Sequence, residues 1–529
     1  MFQANNVKGG SSRDARGERH VPQRPLILHG MTAVIPWVLA AASGLCLALA
    51  MPGPGLALLA FLFPGLLLEA IERGPGRWRP WLLGWLAGTV FWVVTTNWVV
   101  PVMHMYGGLP QLLAVGCLVG MGAYLGLLWA LAAGVVSLVP PGWRIWVFPS
   151  ALVSIVVLQR FPPYGFTWTG AASAFTDWPW LMASLPVWGA TGLGWWAVTA
   201  GAGLWGLARP ATRRTGGTAL IVAFGLLAVA ALAAPIPSPS GEPLTVAALQ
   251  PGTSLEEKWD PSQSREIAER VWAMTATAAA QGADIVLWPE SAVPYRLDND
   301  PAYREAVERM ARELEVEIIL NSVASLDGGG YANSAYLVTQ GGVSQQRYDK
   351  VHLVPFGEFV PRWARFAFTE SLVREVGAFT PGTEPVVLPA AAQLGVAICF
   401  EVVFPDLAAA EVRAGAQILT TLTNDGWYGF SWAPRQHLAQ VRLRAAETQR
   451  WFVRAALTGI SGVIDPSGRV VSRLEVGESG ALVDVVQPMT GLTPRVRFGD
   501  WWAILCAVVT AVSLGVSRIR RRQNRTVKS

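Results

Sequence analysis

The chain has 529 residues, of which 52% are hydrophobic and only 15% are charged, and its mean hydropathy is +0.37. An ordinary soluble domain carries about 25% charged residues, so this composition argues against a wholly soluble protein and against collagen-like or disordered chains. The formal net charge of +5 does not indicate a nucleic-acid partner, because the arginine-rich stretches stand beside apolar segments and are better interpreted as topology signals.

The N-terminal segment 1–30 is polar and contains several arginines. It lacks the order of charged, apolar and small residues that marks a cleaved signal peptide, and we expect it to be a cytoplasmic tail. Apolar stretches then predict seven transmembrane helices within residues 31–235 and an eighth at 498–517, each close to the length that a hydrocarbon core of about 30 Å requires. The predicted spans lie near residues 35–50, 55–71, 81–103, 112–139, 145–158, 187–207, 218–234 and 501–516.

Basic residues occur in alternate loops between these spans. They lie at 73–79, at 144, at 209–214 and in the C-terminal segment 518–529. Because cytoplasmic loops are enriched in lysine and arginine, this pattern predicts an even number of spans, a basic cytoplasmic C-terminal tail, and an insert before the last span that faces outward. Arg495 and Arg497 are a local exception, since they would lie on the outer side.

Two polar regions interrupt the apolar pattern. The segment near 160–180 is too polar and rich in glycine to span, and it is interpreted as an interfacial arm on the outer face, with an ordinary connecting loop as the alternative. The region 242–488 has the composition of a globular domain, in which strand-like runs such as LTVAALQ and DIVLW alternate with helix-like runs. This alternation predicts a layered α/β fold with mixed sheets.

The spacing of the four cysteines is not typical of a disulfide framework or a metal site. Cys46, Cys117 and Cys506 each lie in an apolar run, so neither disulfides nor zinc-binding spacing is indicated. Cys399 is the one thiol in the polar domain, and it follows the strand-like run GVAI. A cysteine in such a place is more often a small core residue than a nucleophile.

Glu290 and Lys350 also follow predicted strands, at the ends where chemistry is usually assembled in open α/β sheets. A nearby ammonium favours the reactive thiolate by lowering its pKa, and a carboxylate can take the thiol proton and return it to a leaving group. The ammonium and a backbone N–H after Cys399 can stabilise an oxyanion. This chemistry requires no metal, no cofactor and no histidine, and the domain has only two histidines, His352 and His437.

Four motifs carry a family resemblance: WPES around Glu290, YDKVHLVPFGEFVP around Lys350, CFE from Cys399, and TNDGWYG at 423–429. Through them the chain resembles the apolipoprotein N-acyltransferases, a membrane-embedded branch of the nitrilase superfamily, over almost its whole length. The resemblance implies an α-helical transmembrane bundle of about eight spans and an extracytoplasmic α-β-β-α sandwich at 242–488. It also implies that Cys399 is the acyl-accepting nucleophile, Glu290 the general base and Lys350 the stabiliser of the oxyanion and thiolate.

The resemblance extends to supporting residues. Glu358 matches a second essential glutamate that would hold the lysine ammonium, with a loop salt bridge as the alternative, and Glu401 matches an acidic residue of the nucleophile turn. Phe400 stands where many members have tyrosine, so a hydrogen bond from that hydroxyl is not expected here. Trp259 and Trp427 match aromatic residues near the site in the family. For each of them, contact with the substrate and packing in the core are alternatives that the sequence does not separate.

The implied reaction is a ping-pong acyl transfer in the bacterial cytoplasmic (inner) membrane. Cys399 would take an acyl chain from a membrane phospholipid, and the α-amine of the diacylglyceryl-cysteine of an apolipoprotein would accept it. Five aromatic residues of the insert are predicted to line a lipid entry: Trp363, Phe366, Phe368, Phe430 and Trp432.

Two other functions are compatible with parts of the sequence. A membrane-tethered amidase acting on small amides would use the same residues, but it would gain little from seven preceding spans. A transporter with an attached binding domain would require ionisable residues inside the spans, and the predicted spans contain almost none.

Overall fold

The computed structural model describes residues 26–74, 76–161, 165–359 and 379–526. Most of the predicted N-terminal tail lies outside these ranges. Three of the aromatic residues expected at a lipid entry, Trp363, Phe366 and Phe368, lie outside them as well.

The first half of the chain folds into a bundle of apolar helices. In chain order they are α1 (Leu26–Ala50), α2 (Leu62–Arg73), α3 (Arg79–Thr95), α4 (Val99–Pro101), α5 (Gln111–Ser137), α6 (Pro141–Val156), α7 (Pro179–Met182), α8 (Leu185–Leu207) and α9 (Arg213–Leu232). A π-helical turn at Val102–Tyr106 continues α4, and short 3-10 helices lie at Ala57–Phe61, Val157–Arg160, Ala171–Phe175 and Pro210–Thr212.

Each predicted span coincides with a helix, but fewer than eight helices qualify as spans by themselves. Within the described ranges five helices are long and apolar enough to cross a membrane, or six if the bent pair Arg79–Thr95 and Val99–Tyr106 is one span. Helix α2 has only 12 residues, and α8 is rich in glycine and tryptophan. Helix α8 lies at the centre of the bundle with most of its residues buried, so its packing depends on close contact with other helices rather than on lipid-facing apolar side chains.

Glycine explains how tightly α8 packs on α9. A Cβ atom at Gly206 would lie 3.0 Å from the Cα of Gly216, and one at Gly216 would lie 2.5 Å from the backbone of Leu207. Small residues that allow two backbones to approach are the usual basis of helix association in membranes. Larger side chains at either glycine would force the helices apart.

The insert forms two six-stranded sheets that pack face to face. One sheet has the order β13-β2-β3-β4-β5-β6 and the other β12-β11-β10-β9-β8-β7, and β2-β3-β4 and β8-β9-β10 are parallel within them. The strands are β1 (Ser238–Pro239), β2 (Leu244–Gln250), β3 (Ile285–Leu287), β4 (Glu317–Ser325), β5 (Tyr331–Thr339), β6 (Gly342–Asp349), β7 (Leu388–Pro389), β8 (Gln393–Ile398), β9 (Ile418–Thr423), β10 (Phe452–Ala456), β11 (Ser461–Ile464), β12 (Val470–Leu474), β13 (Gly480–Val486) and β14 (Met489–Thr490).

Helices cover the outer faces of both sheets. They are α10 (Leu255–Trp259), α11 (Ser264–Ala280), α12 (Pro301–Glu313), α13 (Pro405–Arg413) and α14 (Ala433–Thr448), followed by α15 (Pro494–Phe498) and the long C-terminal α16 (Trp501–Thr526). In β2, Val246 and Ala248 lie in the core between the sheets, whereas Ala247 and Leu249 lie in the core beneath the helices. Because side chains alternate along a strand, burial on both faces requires the continuous apolar run VAAL at 246–249, and the result is an α-β-β-α sandwich.

The domain shares a continuous core with the bundle. Residues of α13 and α14 belong to the same cluster as residues of the bundle helices. At this junction Arg495 is buried with 1% exposure and donates to Asp406 Oδ1 at 2.8 Å. Arg495 is therefore an ion-paired structural residue, which explains why it departs from the distribution of basic residues that topology produces.

The segment expected to be an interfacial arm, near 160–180, connects the bundle to the domain. Trp168 and Phe175 have no exposed surface, and the Trp168 Nε1–H donates to Gln436 Oε1 on α14 at 2.7 Å. The segment thus contributes buried aromatic side chains to the junction.

Candidate functional site

Four chain segments converge at one end of the two sheets. Glu290 follows β3, Lys350 follows β6, Cys399 follows β8 and Asn424 follows β9. Strands β8 and β9 are parallel neighbours, so their carboxyl ends meet at the same edge. The arrangement of the strands thus brings Glu290, Lys350 and Cys399 to the same end of the sheets.

Lys350 lies between two carboxylates. Its Nζ is 2.9 Å from Glu358 Oε1 and 3.7 Å from Glu290 Oε1, and its side chain is 1% exposed. Burial by itself would lower the pKa of Lys350, but the charges of Glu358 and Glu290 outweigh that effect and raise its pKa above the ordinary value. The ammonium therefore remains protonated throughout the physiological pH range.

Glu358 is held by its own loop as well as by the lysine. Its Oε2 accepts from the backbone N–H of Val354 at 2.8 Å, and its backbone N–H donates to Val354 O at 2.9 Å. These bonds fold the VPFGE loop back so that the carboxylate reaches Lys350. The contact with Lys350 is a buried ion pair, which is compatible with the supporting role and with the loop salt bridge given as its alternative.

Asn333 joins the two carboxylates, and the sequence did not single it out. Its Nδ2 donates to Glu290 Oε1 at 3.0 Å and to Glu358 Oε1 at 2.8 Å, while its Oδ1 accepts from Asn321 Nδ2 at 2.6 Å. Both asparagines are buried and lie within strands, where asparagine is depleted. An asparagine within a strand-like run is the only sequence feature that could have indicated them. The amide donors hold Glu290 in place and leave its Oε2 to accept from the Asn424 N–H at 3.1 Å.

Cys399 occupies a strained turn. Its φ of 54° lies in the left-handed region, which costs a residue other than glycine about 1–3 kcal/mol and is common at functional sites. The thiol is buried, and both Glu290 and Lys350 act on it electrostatically. The Cys399 thiol is thus buried on a strained turn where the charges of Glu290 and Lys350 both affect it.

The charge state of Cys399 depends on opposing effects, among which the charge of Lys350 favours the thiolate as expected. Burial and the charge of Glu290 raise the pKa of Cys399 above its ordinary value, and Lys350 only partly offsets them. The resting group is therefore a thiol, because burial disfavours the charged form and the charge of Glu290 disfavours it further. Reaction of this sulfur atom as a nucleophile would require removal of its proton.

Glu401 organises the turn rather than facing a substrate. Its Oε1 accepts from Tyr348 Oη and from the backbone N–H groups of Val351 and His352 at 2.7, 2.7 and 2.9 Å, and its Oε2 accepts from the Ile398 N–H at 2.8 Å. Burial raises its pKa to about 7, against the opposing effects of Lys350 and these donors. This carboxylate connects the strand end before Cys399 to the segment that carries Lys350.

Phe400 lies in an aromatic stack. Its ring centroid is 6.0 Å from that of Phe166 and 6.2 Å from that of Trp168, at interplanar angles of 23° and 13°. The side chain is 3% exposed, so the position serves packing against the arm. Only its backbone N–H is available for chemistry.

Trp259 and Trp427 form a cluster with a residue from the membrane part. Their ring centroids lie 5.7 Å apart, and Tyr106 lies 5.7 Å from Trp259 and 5.3 Å from Trp427. Trp259 is 55% exposed, so packing in a core does not account for it. Next to it, Lys258 is desolvated, which lowers its pKa to about 8 despite the opposing charge of Glu290.

The two remaining residues of the predicted lipid entry differ in position. Phe430 is 87% exposed. Trp432 contacts the loop that follows α1, where a Cβ atom on Gly53 would lie 2.6 Å from its ring. Trp432 therefore helps to attach the domain to the bundle.

Comparison with known proteins gives consistent matches. Residues 43–203 match the family model described as apolipoprotein N-acyltransferase N-terminal domain, and residues 245–495 match the carbon-nitrogen hydrolase model. The apolipoprotein N-acyltransferase of Geobacter metallireducens is 32% identical over 90% of this chain and 94% of its own length. That of Methylococcus capsulatus is 34% identical over 92% and 96%. Among solved structures, an amidase from Nesterenkonia sp. AN1 is 22% identical over 45% of this chain and 92% of its own, with a TM-score of 0.35.

Proposed function

The chain belongs to the apolipoprotein N-acyltransferase family, and from this premise we propose that it transfers an acyl chain from a membrane phospholipid to the N-terminal diacylglyceryl-cysteine of apolipoproteins through a thioester on Cys399. The observation that carries the assignment of residues is the placement of the Cys399 thiol on a strained turn, under the influence of both Glu290 and Lys350. The acid–base group, the cation and the nucleophile of an acyl transfer thus meet at one point.

In the first half-reaction Glu290 accepts the thiol proton while the sulfur of Cys399 attacks the ester carbonyl of the phospholipid. The developing oxyanion is bound by Lys350 Nζ and by the backbone N–H of Phe400. When the C–O bond breaks, Glu290 returns the proton to the leaving oxygen. The products are a lysophospholipid and a thioester on Cys399.

In the second half-reaction the free α-amine of the lipoprotein attacks the thioester. Glu290 accepts a proton from the amine, the C–S bond breaks, and the proton restores the Cys399 thiol. The product is an amide-linked third acyl chain. Glu358 supports both steps by holding Lys350, which is why Glu290, the more distant of the two carboxylates at 3.7 Å, is assigned as the base.

The substrates reach the site from the membrane surface. The cluster of Tyr106, Trp259 and Trp427 joins a bundle segment to the catalytic domain, and aromatic rings are favoured at membrane interfaces. We assign this cluster to contact with the lipid substrates. The enzyme would lie in the bacterial inner membrane with its catalytic domain on the periplasmic face, and the apolar helices and the basic loops support this proposal.

The expected activity separates this function from that of an amidase. Purified protein incubated with phospholipid and a diacylglyceryl-cysteine peptide should yield lysophospholipid and a triacylated peptide, both measurable by mass spectrometry. With small amides it should release no ammonia above background. Ammonia release without peptide acylation would contradict the proposed function.

The orientation makes a second prediction. A periplasm-active reporter fused after Ala234, between α9 and the catalytic domain, should be active, because the distribution of basic loops predicts that this point lies outside the cytoplasm. The same reporter fused after residue 525, within the C-terminal arginine cluster, should be inactive. Reporter activity at both positions, or at neither, would contradict the eight-span arrangement, because the last helix would then not cross the membrane.

A further inference from the structure

A buried histidine lies directly beneath the nucleophile. His437 is on α14 and has no exposed surface. Its Nε2 is 3.0 Å from the backbone oxygen of Cys399, and its Nδ1 is 3.0 Å from Asp425 Oδ1. The reaction described above assigns no role to this ring.

The contact with Cys399 determines where one hydrogen of the ring must be. A carbonyl oxygen only accepts hydrogen bonds, so the short distance requires a hydrogen on Nε2, in the neutral or the charged ring alike. His437 therefore donates to the carbonyl group of its target. The bond reaches the backbone of the nucleophile rather than its sulfur atom.

The ring is held rigidly in this position. Asp425, which faces Nδ1, accepts from Arg454 Nη2 at 2.5 Å and from Thr423 Oγ1 at 3.1 Å, and Arg454 Nη2 also lies 3.2 Å from Nδ1. The indole of Trp168 packs on the ring with a centroid distance of 5.2 Å. A buried network of this kind permits a single ring orientation.

The planarity of the peptide group links this bond to the reaction. In a trans peptide the C=O of Cys399 and the N–H of Phe400 point in opposite directions in one plane. Fixing the carbonyl on the side of His437 consequently fixes the N–H on the other side. We propose that His437 is a positioning residue, which aims the Phe400 N–H at the oxyanion by holding the Cys399 carbonyl.

The backbone conformation at Cys399 explains why the peptide that follows needs a contact to keep its orientation. At a φ of 54°, Cys399 has a conformation that persists only where the surroundings impose it, and the peptide that follows can turn about the Cα–C bond of Cys399 and the N–Cα bond of Phe400 unless a contact holds it. Rotation would turn the Phe400 N–H away from the reacting carbonyl. The bond from His437 opposes that rotation.

Two amide substitutions distinguish this role from simple packing. In His437→Gln the side-chain amide extends to the place of Nε2 and can still donate to Cys399, whereas in His437→Asn it ends near the place of Nδ1 and can reach only Asp425. The inference rests on the proposed function, so the reaction measured is thioester formation from phospholipid. We expect kcat for this step to fall about a hundredfold in His437→Asn, the scale of a misplaced catalytic group, with KM unchanged and most of the rate retained in His437→Gln.

Alkylation of Cys399 by iodoacetamide provides the second readout, because S-alkylation develops no oxyanion. The alkylation rate should remain within about threefold of wild type in both variants, whereas collapse of the site would change alkylation and acylation together. Gln440→Leu is the matched control, since it removes a buried hydrogen bond from the same helix, to Ser173 Oγ at 3.0 Å, without touching the turn. It should acylate normally.

Equal losses of acylation in His437→Asn and His437→Gln, or a normal rate in His437→Asn, would overturn the positioning role. A loss of alkylation that parallels the loss of acylation would overturn it as well. Absence of a thioester in the wild-type protein would instead contradict the proposed function, and this inference with it.

Discussion

Replacement of Cys399 by serine is expected to abolish the thioester formed from phospholipid. A hydroxyl is a far weaker nucleophile than a sulfur that can be deprotonated during attack. The substitution replaces only the sulfur atom by oxygen and should leave the turn unaltered. The turn is stabilised by the hydrogen bond from Ile398 to Glu401 and by the pairing of residues 394–398 with β9. Intact-protein mass spectrometry after incubation with phospholipid measures the acyl adduct.

The other three cysteines provide the control for this experiment. Cys46, Cys117 and Cys506 belong to helices of the membrane part, and their simultaneous replacement by alanine should leave the adduct nearly intact. Loss of the adduct in this triple variant, together with its retention in Cys399→Ser, would show that the nucleophile is another thiol.

Lys350 allows charge and geometry to be separated. Lys350→Met removes the cation at similar length, and Lys350→Arg keeps a charge on a planar, bulkier group that cannot reproduce the compact ammonium. Both should lower the rate of thioester formation by about a hundredfold or more, the scale of losing one oxyanion donor. Single-turnover acylation measures this rate, and thermal unfolding in detergent verifies that the variants fold.

The thiol should respond differently in the two variants. Lys350 lowers the pKa of Cys399, although burial and Glu290 keep it above the ordinary value, so removal of the cation raises this pKa further. At a given pH, iodoacetamide should therefore alkylate Lys350→Met more slowly than wild type, and Lys350→Arg should show a smaller effect. The pH at which alkylation accelerates should shift upward in Lys350→Met.

Arg347→Met is the matched control for the loss of a positive charge. Arg347 lies on β6, three residues before Lys350, and pairs with Asp349 at the edge of the sheet. It should acylate at the normal rate. A normal acylation rate in Lys350→Met would reduce Lys350 to a structural ion pair and remove the oxyanion role from the mechanism.

The membrane part shows how far a linear pattern can determine a fold. Apolar runs coincide with the long helices, because a helix satisfies its own backbone hydrogen bonds and its position depends mainly on local composition. Among the described residues five or six helices qualify as spans instead of the eight predicted, and α8, which is buried among other helices, and α2, which is short, are two of those that do not. Their places depend on packing between helices, such as the approach of Gly206 to Gly216.

Arg495 shows the same contrast, between what a local pattern predicts and what packing decides, for a charged residue. As a sequence feature it contradicted the distribution of basic residues. In the structure it is buried against Asp406, and a buried ion pair follows packing rather than topology. Only the contact between two segments 89 residues apart could reveal this.

The sequence by itself determined the candidates: the apolar helices, the α/β insert, and the motifs that carry Glu290, Lys350, Glu358 and Cys399. These depend on composition, strand alternation and reactive residue types, which are local properties. Only the tertiary structure decided what surrounds the candidates. Asn333 bridges two carboxylates, His437 reaches the backbone of Cys399, and burial keeps the thiol protonated. Hydrogen bonds and desolvation arise between residues distant in the chain, so no local pattern specifies them.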